Sequence, residues 1–385
     1  MCPYPLKQPA TYCSSCFSLV APIHREPVSP ARYSQLVPPE IWWRDQAIWL
    51  GKQGYLLRPR YRPGWKPSWT GLGKFGVDYE DQRILGRAPI MDATRVSDGE
   101  LVILKKIEKS VHPYEEELTR YLGSGPLASE PENHCIPLLD VLHPPNEPNV
   151  IMLVLPLLLP FNKPPFRTFG EAIDFMQQAF EGIKFLHDHL IAHRDCMYLN
   201  IMMDPKPLYP NMFHPADLHK SRDWEGKPKH YSRTTHPTKY ILIDFGISRR
   251  YRPEDMPPLE APIWSADRTV PENIKEERCN PFPTDIYLIA NVIRVYFLDR
   301  YDGFDFISPL ITDMMQDDAE KRPTIDVVIA RFDQIVGNLS KWKLRARLKK
   351  RIEWSVAGLF RSGAHIIRTT SYILRGLDPI PTRKT

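Results

Sequence analysis

Two periodicities divide the chain. Short apolar runs at 83–94, 101–107, 136–142 and 149–155 are rich in Ile, Leu and Val and are separated by Gly-, Pro- or Asn-bearing breaks such as Ser97, Asp98, Gly99. They predict an antiparallel sheet. Further on, Ile173, Met176, Phe180, Ile183 and Leu186 recur at helical spacing behind Thr168 and Glu171, a capping-box pair, and predict a long buried helix. Shorter helical patterns fall at 112–122 and 324–339. Before the strands, 38–50 reads as an amphipathic helix carrying three Trp, with Ile41, Ile48 and Trp49 near one face. A strand-rich 80–158 followed by a helix-rich 159–340 makes an α+β chain. It is flanked by a Trp-rich extension at 36–79, a start at 1–35 expected to be disordered, and a tail at 341–385.

Composition adds three constraints. Forty prolines, about twice average usage, predict long irregular segments. One such segment is the Pro-, Lys- and Arg-rich stretch 205–238, expected to be a solvated loop. The cationic-aromatic run at 57–65 is expected to be an extended strap packed on its neighbour, base stacking being the other reading. Six scattered Cys form no disulfide framework, and no apolar run is long enough to span a bilayer. These features predict a reducing intracellular setting, cytoplasmic or nuclear. The net charge of +5 is uneven: residues 340–385 carry 12 Lys/Arg against 2 Asp/Glu, so the remainder is acidic. A body that coats nucleic acid is therefore not expected. Ile352, Val356, Leu359, Gly363, Ile366, Ile367 and Leu374 share one helical face with Arg361, Arg368 and Arg375 among them. That tail is a candidate for an anionic membrane surface or an acidic partner, or for a basic helix lying on the acidic body.

The candidate chemistry lies on two loops. His193, Arg194 and Asp195 are followed at a fixed interval by Asn200; Asp244, Phe245 and Gly246 follow a second apolar strand. One Asp to orient a hydroxyl, with an Asn and a second Asp as oxygen ligands for Mg²⁺, suits phosphoryl transfer.

The pattern H-R-D-x-x-x-x-N with a later D-F-G resembles the catalytic and metal-binding loops of eukaryotic protein kinases. The resemblance spans roughly 80–340 and implies a bilobal protein kinase-like fold with ATP and Mg²⁺ as cofactors. By that resemblance, Lys105 at the end of the run Leu101-Val-Ile-Leu holds the ATP phosphates. Glu117 pairs with it, Glu115 and Glu116 remaining open. Asn200 and Asp244 hold the metal, and Asp195 is the catalytic carboxylate. Gly86 stands in a reduced glycine loop. Ile90, Ile103, Leu155, Leu157 and Leu158 surround the adenine, with Leu155 guarding the inner pocket. His193 is a structural peg, and Arg194 pairs with a phosphate on Ser265 or Thr269. Asp285 tethers the catalytic loop. Glu272, in Val270-Pro-Glu272, pairs with Arg322. The longer signals at 40–50, 57–65, 112–118, 192–204, 242–251 and 280–287, with the inserted loop between, are also similar to a kinase-like family expanded in mushroom-forming fungi.

The implied activity is transfer of the γ-phosphate to Ser/Thr hydroxyls of an unidentified protein substrate. Met197 stands where such kinases carry a Lys against the γ-phosphate, which predicts slow turnover. Met197, Ile103 and the single glycine keep a second reading open, a pseudokinase scaffold.

Overall fold

The sheet forms where the β-branched and leucine-rich runs fall. The computed structural model describes residues 33–70, 79–84, 86–262, 267–275, 278–352 and 355–383, so most of the expected disordered start lies outside the described residues. Helix α1 (Pro38–Lys52) leads into β1 (Tyr55–Leu57), β2 (Ile90–Arg95) and β3 (Leu101–Glu108). Helix α2 (Glu115–Gly123), β4 (Asp140–Leu142) and β5 (Val150–Pro156) follow. The five strands are antiparallel in the order β1-β2-β3-β5-β4. Two strands are shorter than their apolar runs: 86–89 and 136–139 stay outside the sheet. The 36–79 stretch contributes both a helix and an edge strand to this sheet.

Alternation along β3 sends its side chains to two cores. Val102 and Leu104 join Met152 and Val154 against Trp43, Leu50 and Tyr61. Ile103 and Ile107 face the other way, with Leu153 and Leu155. Both faces are covered, which explains why β3 and β5 read as nearly continuous apolar runs.

The phase of α1 corrects the sequence expectation. Ile41 and Ile48 are exposed, whereas Glu40, Trp43 and Leu50 are buried. A charged residue heads the buried stripe because Glu40 accepts from Arg60 Nε at 3.0 Å and Arg60 Nη2 at 2.9 Å. The other Arg60 donors reach the Tyr33, Asp81 and Gln35 carbonyls, so all five guanidinium N–H groups are satisfied. Arg60 and Tyr61 are wholly buried, which removes them as a base-stacking surface.

The rest of the chain forms β6 (Leu159–Pro160), α3 (Phe169–Asp188), β7 (Ile191–Ala192), β8 (Ile201–Met203), β9 (Phe213–His214), β10 (Asp217–Ser221), β11 (Tyr240–Leu242) and β12 (Arg249–Arg250). It continues through α4 (Pro271–Lys275), α5 (Phe282–Ile293), α6 (Ser308–Met314), α7 (Ile325–Gly337), α8 (Lys341–Arg345) and α9 (Ser355–Leu374). Thr168 Oγ1 accepts from the Glu171 N–H at 3.1 Å and opens α3. Ile173, Met176, Phe180, Ile183 and Leu186 are all fully buried, so α3 is the central helix of the larger core. A mixed α/β architecture of this kind, one antiparallel sheet followed by several helices, is compatible with a kinase-like fold.

The insert 205–238 is only in part the solvated loop expected: most of 222–231 is exposed, but other parts are buried. Leu208, Phe213, His214, Arg233, Thr234 and Thr238 are buried. Arg233 donates to the Phe161 carbonyl at 2.8 Å and lies 4.2 Å from the Phe166 ring centroid. Thr234 donates to Glu171 at 3.0 Å. At its other end Arg83 donates to Asp217 at 2.8 Å and Arg222 to the Gly99 carbonyl at 2.6 Å. The insert therefore ties the five-stranded sheet to the start of α3.

Candidate active site

Three connections converge on one cleft. β3 and β5 supply its roof, where Lys105 stands opposite Leu153 and Ile103 opposite Leu155. β8 and β11 pair antiparallel, Met202 opposite Ile241, and place the loops around Asn200 and Asp244 side by side. Helix α2 supplies the third wall through Glu115 and Thr119. The cleft opens to solvent.

Lys105 Nζ bonds the Glu115 carboxylate and lies 2.9 Å from Asp244 Oδ1. All three side chains are buried. Burial alone would lower the Lys105 pKa, but Asp244 and then Glu115 outweigh it and hold the ammonium well above its ordinary value. Burial pushes Asp244 up, yet the Lys105 charge prevails and its carboxyl sits below the usual range. Asn200 Nδ2 donates to Asp195 Oδ2 at 2.8 Å and to the Asp195 carbonyl at 2.9 Å. The loop between them is a tight turn, with the Met197 N–H donating to the Asp195 carbonyl at 2.8 Å.

Glu115, not Glu117, is the partner of Lys105. Glu117 is exposed, because the buried stripe of α2 is Glu115, Leu118, Thr119 and Leu122. That i, i+3, i+4, i+7 set is in the sequence and sets the phase of α2. Gly246 makes the pairing sterically possible. A Cβ there would meet His112 Nδ1 at 2.9 Å and Glu115 Oε2 at 3.1 Å. Arg249 and Arg250 then lie over the Tyr114 and Tyr121 rings at 4.4 and 3.9 Å, pinning α2 to the segment after Gly246.

A second layer holds the loops. Asp285 is fully buried and accepts from the His193 N–H at 2.8 Å and the Arg194 N–H at 2.7 Å. His193 Nε2 lies 3.2 Å from the Ile243 carbonyl, while its Nδ1 faces the Asp195 N–H at 3.3 Å. Burial keeps its pKa below the ordinary value, so the ring is a neutral peg joining the two loops. Arg194 and Asp244 both take positive φ, 68° in each case. Such backbone costs roughly 1–2 kcal/mol per residue and clusters at functional sites. Arg194 donates to the Ala261 carbonyl at 3.2 Å and lies 3.8 Å from Glu260. Ser265 lies outside the described residues. Thr269 Oγ1 donates to Asp267 at 2.7 Å. Arg322 grips Glu272 with two bonds of 2.7 Å each, and Thr284 adds a third at 3.0 Å.

Of the residues expected around a nucleotide, Ile90, Ile103, Leu155 and Leu158 line the cleft. Gly86 is exposed and Leu157 is buried in the core; neither is part of the lining. Thr119, Ile136, Met202 and Ile243 line it without having been anticipated. Each is an ordinary core-type residue whose role depends on which strands become neighbours.

No protein-family model matches the chain. The chain is similar to mitogen-activated protein kinase kinase kinase 1a of Physcomitrium patens, 26% identical over 309 residues. The match covers 78% of this chain and 35% of that protein, so the chain spans about a third of its relative's length. Together with the order of the motifs, this likeness supports a protein kinase-like domain.

Proposed function

We propose that the chain is a Mg²⁺- and ATP-dependent protein kinase that transfers the γ-phosphate to Ser/Thr hydroxyls, slowly. The observation that carries this reading is Lys105 held between Glu115 and Asp244 in the same cleft as Asn200. The five-stranded sheet and the helical part then act as two lobes around the nucleotide. The donor set fits the metal: among the described residues lining the cleft, Asp244 and Asn200 offer hard oxygen ligands, and Mg²⁺ takes few protein ligands besides phosphates and water. When bound, Mg²⁺ neutralises phosphate charge. Lys105 orients the phosphates, and Glu115 holds Lys105 extended. Asp195, fixed by Asn200 Nδ2, accepts a hydrogen bond from the incoming hydroxyl and aims its oxygen. Catalysis rests on positioning rather than on a covalent intermediate. Met197 supplies no cation, so the γ-phosphate lacks a clamp worth on the order of 2–4 kcal/mol in the transition state. The similarity of 38–375 to the fungal kinase-like family belongs to the same proposal.

The second reading, a scaffold without transfer, is favoured by the exposed single Gly86 and by buried Met197. Phosphate transfer from labelled ATP to the chain itself and to a Ser/Thr peptide library separates the two. The kinase reading expects signal that Asp195→Asn abolishes. Equal signal from both proteins, or none from either, favours the scaffold.

A further inference from the structure

A second pocket lies where the 57–65 strap, β2 and the insert meet. Arg58, Arg62, Asp92, His214 and Arg222 line it between apolar walls, and none of the five lines the cleft around Lys105.

The floor of this pocket is buried and keeps two donors unspent. Arg58 donates through Nε to Asp92 Oδ2 and through Nη1 to Glu80 Oε1, each at 2.8 Å, which leaves Nη2 without a hydrogen bond. His214 is 7% exposed. Its Nδ1 accepts from the Ala216 N–H at 3.2 Å, and burial together with Arg58 keeps the ring neutral, so Nε2 carries the proton. Glu80 Oε1 lies 3.7 Å from that nitrogen, beyond hydrogen-bond reach.

The rim is cationic and held in place. Arg62 Nε donates to the Leu57 carbonyl at 2.7 Å, and Arg222 Nη2 donates to the Gly99 carbonyl at 2.6 Å. Neither arginine forms an ion pair among the described residues, and each keeps further N–H donors. Backbone carbonyls thus fix both guanidinium groups without neutralising them. Arg58 is matched by Asp92 and Glu80, so the surplus charge of the pocket rests on Arg62 and Arg222.

We propose that this pocket binds a phosphate monoester, with Arg62 and Arg222 gripping the phosphoryl oxygens from the rim while Arg58 Nη2 and the His214 Nε2–H donate from the floor. The number and spread of donors select the ligand class. A carboxylate has two oxygens in one plane and is satisfied by one guanidinium fork. Donors on four side chains suit a tetrahedral group with three terminal oxygens and about two negative charges, which the two surplus cations match. Leu56, Leu57 and Leu101 leave an apolar wall for the carbon side of the ester. The inference is independent of phosphate transfer in the cleft.

Calorimetric titration of the full chain at constant ionic strength tests it, with inorganic phosphate, a phosphoserine peptide and the same peptide carrying glutamate as probes. One site per chain is expected for the two phosphate probes and none for the glutamate peptide. A phosphoserine peptide bound more tightly than inorganic phosphate points to a phosphorylated protein segment as the source; equal or weaker binding points to a small free phosphate. Arg62→Gln and Arg222→Gln should each weaken binding about tenfold, and on the order of a hundredfold together. Both side chains are exposed, so the melting temperature should hold. Arg62→Lys should lose less than Arg62→Gln. Should the double variant melt early, the imidazole resonances of His214 in the unaltered protein, assigned with His214→Gln, decide the matter: they should shift as phosphate is added. Unmoved resonances overturn the proposal. So does unchanged binding in the double variant, a glutamate peptide bound as tightly as the phosphoserine one, or no binding of either phosphate probe.

Discussion

Two buried charge clusters in this chain are built in opposite ways. Arg322 and Glu272 match one cation to one carboxylate in a bidentate pair, and Thr284 together with the Gln316 and Pro283 carbonyls takes up further polar capacity. Around Lys105, one ammonium meets two carboxylates, Glu115 and Asp244, on a cleft that opens to solvent. The first cluster is electrically closed and holds α4 against the loop before α7. The second carries surplus negative charge that a divalent cation would relieve. The unbalanced cluster is the one that the proposed function would use.

Breaking the closed pair should cost most. Glu272→Ala strands the buried Arg322 guanidinium and is expected to lower unfolding free energy by about 3–5 kcal/mol, read by denaturant titration. Arg322 and burial act oppositely on Glu272, and the net pKa is lowered. Its stabilising contribution is therefore present above the unfolded carboxyl pKa and is lost as pH falls through the depressed folded value.

The open cluster should respond in the reverse sense. Asp244→Asn removes one of two carboxylates competing for Lys105, so stability should hold or rise while phosphate transfer falls on the order of 10²–10³-fold. Loss of stability comparable to that of Glu272→Ala would erase the contrast between the clusters.

Gly246→Ala probes how closely the open cluster is fitted. The added Cβ displaces Glu115 and His112, at about 1–3 kcal/mol of overpacking, and should cut transfer more than it cuts nucleotide affinity. Measuring kcat and KM for ATP separates the two effects.

The smallest effect belongs to His214, in the insert. Burial and the nearby Arg58 push its pKa down to about 4 from an ordinary 6.5, against the pull of Asp92 and Asp217. Its folded pKa lies below the unfolded one, so its contribution is complete above about pH 6.5 and is lost as pH falls toward 4. His214→Gln should flatten the acid slope of the melting temperature across that window.

The same contrast bears on what could be read from the chain. The loops carrying Asp195, Asn200 and Asp244 were legible because each holds its spacing within a few residues, and two adjacent strands bring them together. Lys105 was legible from the end of an apolar strand. Glu115 was legible only in part: its spacing to Leu118 and Leu122 marks it, but Leu118 and Tyr121 point as readily to Glu117 among three consecutive glutamates. The buried face of α1 was hidden by Glu40, a charge on the apolar stripe whose partner Arg60 lies 20 positions away. The insert was read as solvated because its composition is polar. Its burial comes from Phe161, Glu171 and Tyr372, all distant in sequence. Local spacing carries chemistry, while burial of polar residues depends on partners that no window contains.

On the proposed reading, the Lys105, Glu115 and Asp244 cluster seats a cation carried with a nucleotide. Thermal denaturation of the full chain with Mg²⁺ alone, ATP alone and both together tests it most directly. A clear rise in melting temperature is expected with Mg²⁺ and ATP together, a smaller one with ATP alone, and loss of the difference in Asp244→Asn. Identical melting in all three conditions for the unaltered protein would contradict it.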